Sequence, residues 1–287
     1  MTEFSLRPAR ADEFRTAIDW AAAEGWNPGH GDLEVFHATD PQGFIMGFKG
    51  DQPVSTISVV RYPGDFGFLG FYIVHPAHRG SGFGIATWHA GMAYLQGCTI
   101  GLDGVTAQQD NYRKSGFQLA GRNIRHTGRP ARLGGKVAGV DIKPVTAEDL
   151  AYVCAYDAGH FPVRRETFIR PWVLANRAGA GRHSLAAWRD GKICGLGTVR
   201  ACRAGYKIGP LFADDAALAE MLFDALTDTL PADTEVALDT PEDNLAALAL
   251  AVRAGLQPVF ETARMYCGAD PKLPLQRIFG VTTFELG

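Results

Sequence analysis

The sequence lacks any recognisable pattern of cysteine or histidine. Its 287 residues include five cysteines, an odd number, and no C-x-x-C pair occurs. Neither a disulfide framework nor a zinc site is indicated. His75, His78 and His89 show no metal-ligand spacing either, so no metal is expected. Reduced cysteines are typical of cytosolic proteins, which predicts a cytoplasmic location.

The chain also lacks a charge excess and a long apolar run. It has 28 lysines and arginines against 31 aspartates and glutamates, and the net charge is −3. No basic excess favours nucleic acid or an anionic membrane as a partner. No apolar run approaches the roughly 20 residues of a membrane helix, and residues 1–8 contain no signal core. With 46% hydrophobic and 21% charged residues, the composition is that of a globular protein, and the length suffices for two domains.

A glycine-rich stretch at residues 79–84 lies between a predicted strand and a predicted helix. Residues 68–74 are apolar and rich in aromatic and β-branched side chains, which favours a buried strand. The residues after the glycines predict one apolar helical stripe, formed by Ile85, Trp88, Met92 and Leu95. The free N–H groups and positive dipole at a helix start bind anions. Glycine lets the main chain approach a phosphate.

The order of residues in this loop separates it from other phosphate-binding motifs. No G-x-x-x-x-G-K-[ST] sequence occurs, and G-x-G-x-x-G would require glycine in place of Ile85. Arg79, Gly82 and Gly84 fit R-x-x-G-x-G, which resembles the pyrophosphate loop of the GNAT superfamily of N-acetyltransferases. Val-His-Pro at 74–76 resembles the strand exit of that family. Tyr-Arg-Lys-Ser-Gly-Phe at 112–117 resembles its Y-x-K-x-G-F element.

The resemblance implies that acetyl-CoA is the co-substrate. In GNAT enzymes, the strand before the loop separates from its neighbour, and its backbone N–H groups meet the thioester and pantetheine. Here those groups would belong to Tyr72, Ile73 and Val74. The pyrophosphate would be held by Arg79, Gly80, Ser81, Gly82, Phe83 and Gly84. Asn111 is a candidate pantetheine contact, although it directly precedes the tyrosine, whereas the family asparagine often lies a few residues ahead.

Acetylation of an amine requires a neutral nitrogen, a donor for the oxyanion and a proton for the leaving thiolate. Tyr112 resembles the family tyrosine that protonates the thiolate; its alternative role is that of a packing aromatic. The glutamate that serves as base in some members corresponds to Phe68 here. Other candidates for the base are Glu24, Asp32, His37 and Asp103, each of which would more commonly be a solvated or capping residue.

The resemblance also places the acceptor pocket between the first strand and the following hairpin. Glu24, Trp26 and Asp32 lie in this region. An aromatic ring flanked by carboxylates suits a cationic amine. We therefore expect these three residues to bind a small-molecule amine.

Apolar patterns and turn residues predict the secondary structure of the first half. Strands are expected at 4–7, 43–49, 54–62, 68–74 and 99–105, and helices at 12–24 and 108–114. The strands at 43–49 and 54–62 should form a hairpin, and residues 25–32 should form a loop. Residues 117–126 are expected to close the first unit, and the linker is placed at 127–139.

The second half repeats the first. Leu-Arg-Pro at 6–8 matches Ile-Lys-Pro 136 residues later, and Gly-Phe-Gln at 116–118 matches Gly-Leu-Gln 139 residues later. Such identities indicate a duplication, so we predict an α/β fold with two GNAT-like domains at 1–134 and 139–287. Each should contain a mostly antiparallel sheet with helices on both faces. In the second copy, Leu218, Met221 and Phe223 replace Arg79, Gly82 and Gly84, which predicts a lost cofactor site.

Two functions remain open from the sequence. The first is an N-acetyltransferase for a small amine, in which the second copy shapes the pocket. The second is a non-catalytic acyl-CoA-binding sensor or interaction module, because one copy is degenerate. The intact loop and Tyr112 favour the enzyme. The sequence identifies neither the acceptor nor the oligomeric state.

Overall fold

The computed structural model describes residues 3–174 and 181–287. The first-half strands are β1 (Phe4–Pro8), β2 (Phe44–Lys49), β3 (Gln52–Tyr62), β4 (Phe66–Val74), β5 (Thr99–Val105) and β6 (Gln118–Gly128). Its helices are α1 (Ala11–Ala23), α2 (Asp32–Thr39), α3 (Phe83–Tyr94) and α4 (Gln109–Lys114). The predicted strands, the hairpin and three of these helices are confirmed. Helix α2 was not expected from the sequence.

The second half follows the same order of elements. Its strands are β7 (Asp141–Pro144), β8 (Arg182–Arg189), β9 (Lys192–Ala201), β10 (Tyr206–Ala213), β11 (Val236–Pro241), β12 (Gln257–Cys267) and β13 (Ile278–Gly280). Its helices are α5 (Leu150–Asp157), α6 (Glu166–Leu174), α7 (Ala216–Thr227) and α8 (Leu245–Arg253). No helix in the described parts of the chain combines the length and apolarity needed to span a bilayer.

One continuous mixed sheet runs through both halves. Its order is β1-β2-β3-β4-β5-β12-β6-β11-β10-β9-β8-β7, and β13 pairs with β10. The pairs β4–β5 and β10–β11 are parallel, and the other pairs between described strands are antiparallel. The expected α/β class and mostly antiparallel pairing are confirmed, but the halves share one sheet, whereas a separate sheet was expected in each.

The expectation that residues 117–126 close the first unit is wrong. Strand β6 pairs with β11 and β12, while β12 lies between β5 and β6. The two strands are equivalent in the repeat and both have 11 residues. Either strand can therefore occupy the same position in a sheet. Strand β6 pairs with β11 of the second half, and β12 pairs with β5 of the first half. The boundaries at 134 and 139 stay a prediction about the repeat units.

The largest apolar core joins the two halves. Phe36 of α2 stacks on Trp172 of α6, with ring centroids 5.8 Å apart and planes 6° apart. Helices α1 and α2 cover one face of the first-half sheet, and α3 covers the other. These contacts across the chain explain why the short α2 forms although its own residues carry no clear helical signal, since tertiary packing supplies most helix stability.

The apolar stripe predicted for α3 is wrong at Ile85. The buried face of α3 contains Thr87, Trp88 and Gly91, whereas Ile85 is 56% exposed. A Cβ on Gly91 would approach Ile57 to 2.9 Å. The helix therefore packs closest to the sheet at Gly91, about 120° around the helix from Ile85.

Candidate functional site

Strands β4 and β5 pair at their beginnings and then separate. Their register runs from Phe66 opposite Thr99 to Leu69 opposite Leu102 and ends there. Strand β4 also contains a bulge, because Thr56 of β3 faces Ile73 while Ser58 faces Gly70. An extra residue of this kind bends and twists the strand. The bulge turns β4 away from β5, as the family resemblance implied for this strand.

Phe71 lies in the bulge with a φ of 45°. This left-handed conformation is rare for a bulky residue. Phe71 is nevertheless buried among aromatic rings, including Phe14 at a centroid distance of 5.6 Å. Packing therefore holds the main chain in the shape that opens the sheet.

A cavity of about 360 Å³ occupies the separation between the two strands. Seven predicted site residues line it, namely Glu24, Trp26, Tyr72, Ile73, Val74, Arg79 and Tyr112. Asp103, one of the candidate bases, also lines it, together with residues that the sequence did not predict, including Arg125, Phe260, Thr262, Phe284 and Glu285. The cavity thus combines β4 backbone with side chains from both halves of the chain.

The glycine loop reaches α3 through backbone conformations that favour glycine. Gly80 has a φ of 77° and Gly82 has a φ of 85°, and a Cβ added at either residue would have no atom within 4 Å. Gly82 is the N-cap of α3 and provides no side-chain hydrogen bond to the helix. The first N–H groups of a helix have no intrahelical partner. Their position and the dipole make this loop suitable for a phosphate.

Arg79 connects the loop to the cavity. Its Nε donates a hydrogen bond to the carbonyl of Val74 at 3.0 Å, and its Nη2 pairs with Glu24. Gly84 lies behind these groups, where a Cβ would stand 3.0 Å from both the Tyr72 hydroxyl and Val74 Cγ2. Arg79 and Gly84 therefore connect the glycine loop with the end of the diverging strand.

Tyr112 lies against β5 at the wall of the cavity. A Cβ at position 104 would be 2.2 Å from Tyr112 Cε2, so the absence of a side chain at Gly104 leaves room for the ring. The ring stacks on Trp88 with centroids 5.6 Å apart. Burial, with a smaller contribution from Tyr72, raises the pKa of Tyr112 to about 12. The phenol therefore keeps its proton at neutral pH.

The neighbouring Asn111 has a different environment. It is exposed, and its Nδ2 donates to Oε1 of Gln108 at 2.8 Å. Asn111 does not belong to the lining of the cavity between β4 and β5. Its proposed contact with pantetheine stays a prediction.

Asp32 does not join Glu24 and Trp26 at the cavity. Its carboxylate accepts hydrogen bonds from Arg182 at 2.7 Å and Arg200 at 3.2 Å. Burial opposes its ionisation, but Arg200 and Arg182 hold the pKa of Asp32 below the usual value. In this arrangement, Asp32 binds the start of α2 to strands β8 and β9.

Two further candidates for the base are also engaged. Asp103 accepts from Arg264 Nη2 at 2.6 Å and from Asn123 Nδ2 at 2.7 Å. His37 Nε2 lies 3.0 Å from the carbonyl of Ala9, outside the cavity lining. Asp103 thus borders the cavity with its carboxylate held by the sheet, and His37 supports α2.

Among the lining residues that sequence reasoning missed, Arg125 comes from β6 of the first half, whereas Phe260, Thr262, Phe284 and Glu285 come from the second half. After β13, residues 281–286 cross to the first half, and Tyr62 donates to the carbonyl of Leu286 at 3.0 Å. A Cβ at Gly70 would be 2.3 Å from the carbonyl oxygen of Glu285. This segment therefore lies where β4 and β5 begin to separate. The sequence of residues 281–286 carries no motif that could have predicted this position. For Arg125 on β6, the available signal was its match with Arg264 in the repeat.

The second copy has a different arrangement at the equivalent place. Strands β10 and β11 pair in parallel only from Tyr206 to Ile208. Strand β13 pairs with β10 beyond this point, with Gly280 opposite Leu211. Val281 N donates to the carbonyl of Asp239 at 2.9 Å. The chain's own β13 therefore fills the separation that is a cavity in the first copy.

Comparisons with known proteins match both halves of the chain to one family. A model described as "Acetyltransferase (GNAT) family" matches residues 9–117, and one described as "Acetyltransferase (GNAT) domain" matches residues 153–280. The chain is 30% identical over 284 residues to holothin acyltransferase from Pseudoalteromonas sp. (strain SANK 73390). That alignment covers 99% of this chain and 95% of the relative.

Solved structures support the same fold over the whole length. A putative acetyltransferase from Pyrococcus horikoshii superimposes with a TM-score of 0.81 and 22% identity, covering 100% of this chain and 97% of that one. A tandem GNAT protein from the clavulanic acid biosynthesis pathway gives a TM-score of 0.64 and 16% identity, covering 93% and 100%. At these identities, the two structures are evidence for the fold alone.

Proposed function

This chain is an acyltransferase of the GNAT family with two tandem copies of the fold, and we propose that it acetylates a small-molecule amine with acetyl-CoA. One observation carries the proposal: the opened part of β4, Arg79 at the start of the glycine loop and Tyr112 all border one cavity. These are the groups that a thioester, a pyrophosphate and a leaving thiolate each require. A cytoplasmic setting stays a prediction from the cysteines.

The residues present fit acetyl-CoA as a substrate. The start of α3 offers free N–H groups, and the open space at Gly80 and Gly82 lets a phosphate approach the main chain. Arg79 adds a guanidinium beside them, which suits phosphate oxygens. The backbone of Tyr72, Ile73 and Val74 then borders the path from the loop into the cavity.

Direct transfer would form one bond and break one bond. The amine nitrogen attacks the thioester carbonyl, the carbon–sulfur bond breaks, the thiolate leaves, and the nitrogen gives up a proton to solvent. A thiolate leaves more readily when a proton reaches it in the transition state. Tyr112 remains protonated at neutral pH because its pKa is about 12. We therefore assign the protonation of sulfur to Tyr112.

The lining of the cavity includes aromatic rings and carboxylates. Trp26, Phe260 and Phe284 supply the rings, and Glu24 and Glu285 supply the carboxylates. Rings beside negative charge favour a cationic or flat amine. The relative's name makes holothin one acceptor to test, and the cavity volume of about 360 Å³ agrees with a small molecule.

The test is release of free thiol from acetyl-CoA across a panel of amines that includes holothin. We expect amine-dependent thiol release and a product heavier by one acetyl group in mass spectrometry. The Tyr112→Phe variant serves as the control for uncatalysed hydrolysis. Binding of acetyl-CoA without transfer to any amine on the panel would instead favour the non-catalytic sensor or interaction module.

A further inference from the structure

Glu285 is a buried carboxylate at the place where β4 and β5 separate. It is 5% exposed, lines the cavity, and its main chain packs against Gly70. No hydrogen bond or ion pair to its carboxylate is formed by the described residues. A buried carboxylate normally has such a partner, so the position of Glu285 calls for an explanation.

The other carboxylates around the cavity already have partners. Glu24 pairs with Arg79 at the rim. Asp103 receives hydrogen bonds from Arg264 and Asn123. Glu285 is the cavity carboxylate whose oxygens remain available among the described residues.

Charged groups from four other elements surround Glu285. Burial raises the pKa of Glu285 above its ordinary value; Asp32 acts in the same direction, while Lys207, Arg200 and Arg125 oppose it. These residues lie on α2, β10, β9 and β6. A carboxylate in such surroundings binds a proton more readily than an exposed one, while the nearby cations still permit its ionised form. A base with a pKa closer to neutrality accepts protons efficiently at neutral pH.

We propose that Glu285 is the group that accepts the proton that a cationic acceptor amine must lose before it attacks the thioester. The inference rests on the proposed function and names its proton acceptor. A Glu285 oxygen first takes the ammonium proton; the nitrogen–carbon bond then forms as the carbon–sulfur bond breaks, the thiolate takes the proton of Tyr112, and the second nitrogen proton passes to solvent. Solvent then returns both groups to their starting forms, and no other reactant is needed.

The assignment gives the second copy a catalytic part in a site built on the first copy. It also specifies the substrate class. Amines that are cationic at neutral pH must lose a proton before they can attack, so they depend on a base. Weakly basic amines are already neutral. The enzyme should therefore accept alkylamines as well as aromatic amines.

The experiment compares Glu285→Gln with the full-length parent on the most and least basic amines that the parent accepts. We expect kcat/KM for the basic amine to fall by about 10²–10⁴. The loss should be smaller for the weakly basic amine, and the Kd for acetyl-CoA should be unchanged. The acid limb in the parent's pH profile of kcat/KM should disappear. Glu285→Asp keeps a carboxylate and should retain that limb at a lower rate.

Glu261→Gln is the matched control, because Glu261 lies on β12 outside the cavity with its side chain 44% exposed. It should keep the parent's rates and pH profile. If the parent is active and the acid limb persists in Glu285→Gln, the role of Glu285 is wrong. An equal loss of kcat/KM for all acceptors would also overturn this role. Both outcomes leave the proposed function standing. A parent that binds acetyl-CoA but acetylates no amine overturns the proposed function and this inference together.

Discussion

Arg125 on β6 forms a bidentate ion pair with Asp239 on β11, and both nitrogen–oxygen distances are 2.7 Å. Strand β12 forms the equivalent pair with the halves exchanged: Arg264 of the second half pairs with Asp103 on β5 of the first half, at 3.0 and 2.6 Å. Each exchanged strand thus carries an arginine that pairs with an aspartate of the other half. The two halves are joined by buried charge as well as by backbone hydrogen bonds.

Removal of Arg125 should strongly destabilise the protein. Arg125→Met leaves the buried carboxylate of Asp239 without its partner, and such a loss costs about 3–5 kcal/mol. Arg132→Met is the control: the ion pair of Arg132 with Asp228 is also 2.7 Å long but is exposed, so its loss should cost under about 1 kcal/mol. Denaturant unfolding measures both free energies. Equal losses would contradict the role of burial.

The Arg125–Asp239 pair should also make the free energy of unfolding depend on pH. Burial disfavours the charge of Asp239, but Arg125 holds the pKa of Asp239 below its usual value. The stabilisation is therefore present above the unfolded pKa of about 3.9 and is lost as the pH falls through the lower folded pKa. The difference between parent and Arg125→Met should shrink below about pH 4. A difference that is constant down to about pH 2 would contradict this linkage.

Gly82→Glu should weaken binding of acetyl-CoA. Gly82 has a φ of 85°, and glutamate would add a side chain and negative charge where the main chain would meet a phosphate. We expect Kd to rise about tenfold or more, measured by calorimetry. Gly97→Glu is a matched control, since Gly97 has a φ of 86° and open space beyond the end of α3. If both variants bind as the parent does, the loop assignment fails.

Each chain should bind one acetyl-CoA. Strand β13 occupies the separation between β10 and β11, so pantetheine has no equivalent path in the second copy. Asp215 also caps α7 by accepting from Leu218 N at 2.9 Å, which places a carboxylate at the equivalent helix start. Calorimetric titration should give a stoichiometry of one. Two equivalent sites per chain would refute this prediction.

Tyr112→Phe should reduce turnover while it preserves binding. The change removes the phenolic proton and leaves the ring on Gly104 and Trp88. We expect kcat to fall by about 10²–10⁴, the range for one general acid, with Kd for acetyl-CoA unchanged. Tyr94→Phe removes a hydroxyl that donates to Asp40 outside the cavity, and it should leave kcat unchanged. Turnover of Tyr112→Phe within a few-fold of the parent would assign the proton to another group or to solvent.

The sequence by itself determined the local parts of the site. The strand at 68–74, the glycines and the following helix are neighbours along the chain, and their conformations depend on short-range preferences such as positive φ at Gly80 and Gly82. The duplication was also visible, because it is a relationship between residues of the same chain. These features predicted the glycine loop, Tyr112 and the lining residues Glu24 and Trp26.

Only the tertiary structure decided which half of the chain supplies the other residues that line the cavity. Strands β6 and β12 are interchangeable by repeat, so no local signal distinguishes closure within a half from exchange between halves. Asp32 was predicted at the pocket, but long-range pairing with Arg182 and Arg200 holds it elsewhere. Glu285 lies far from Gly70 along the sequence and touches it in the fold. Contacts of this range depend on how the whole sheet packs, which residue spacing along the chain does not specify.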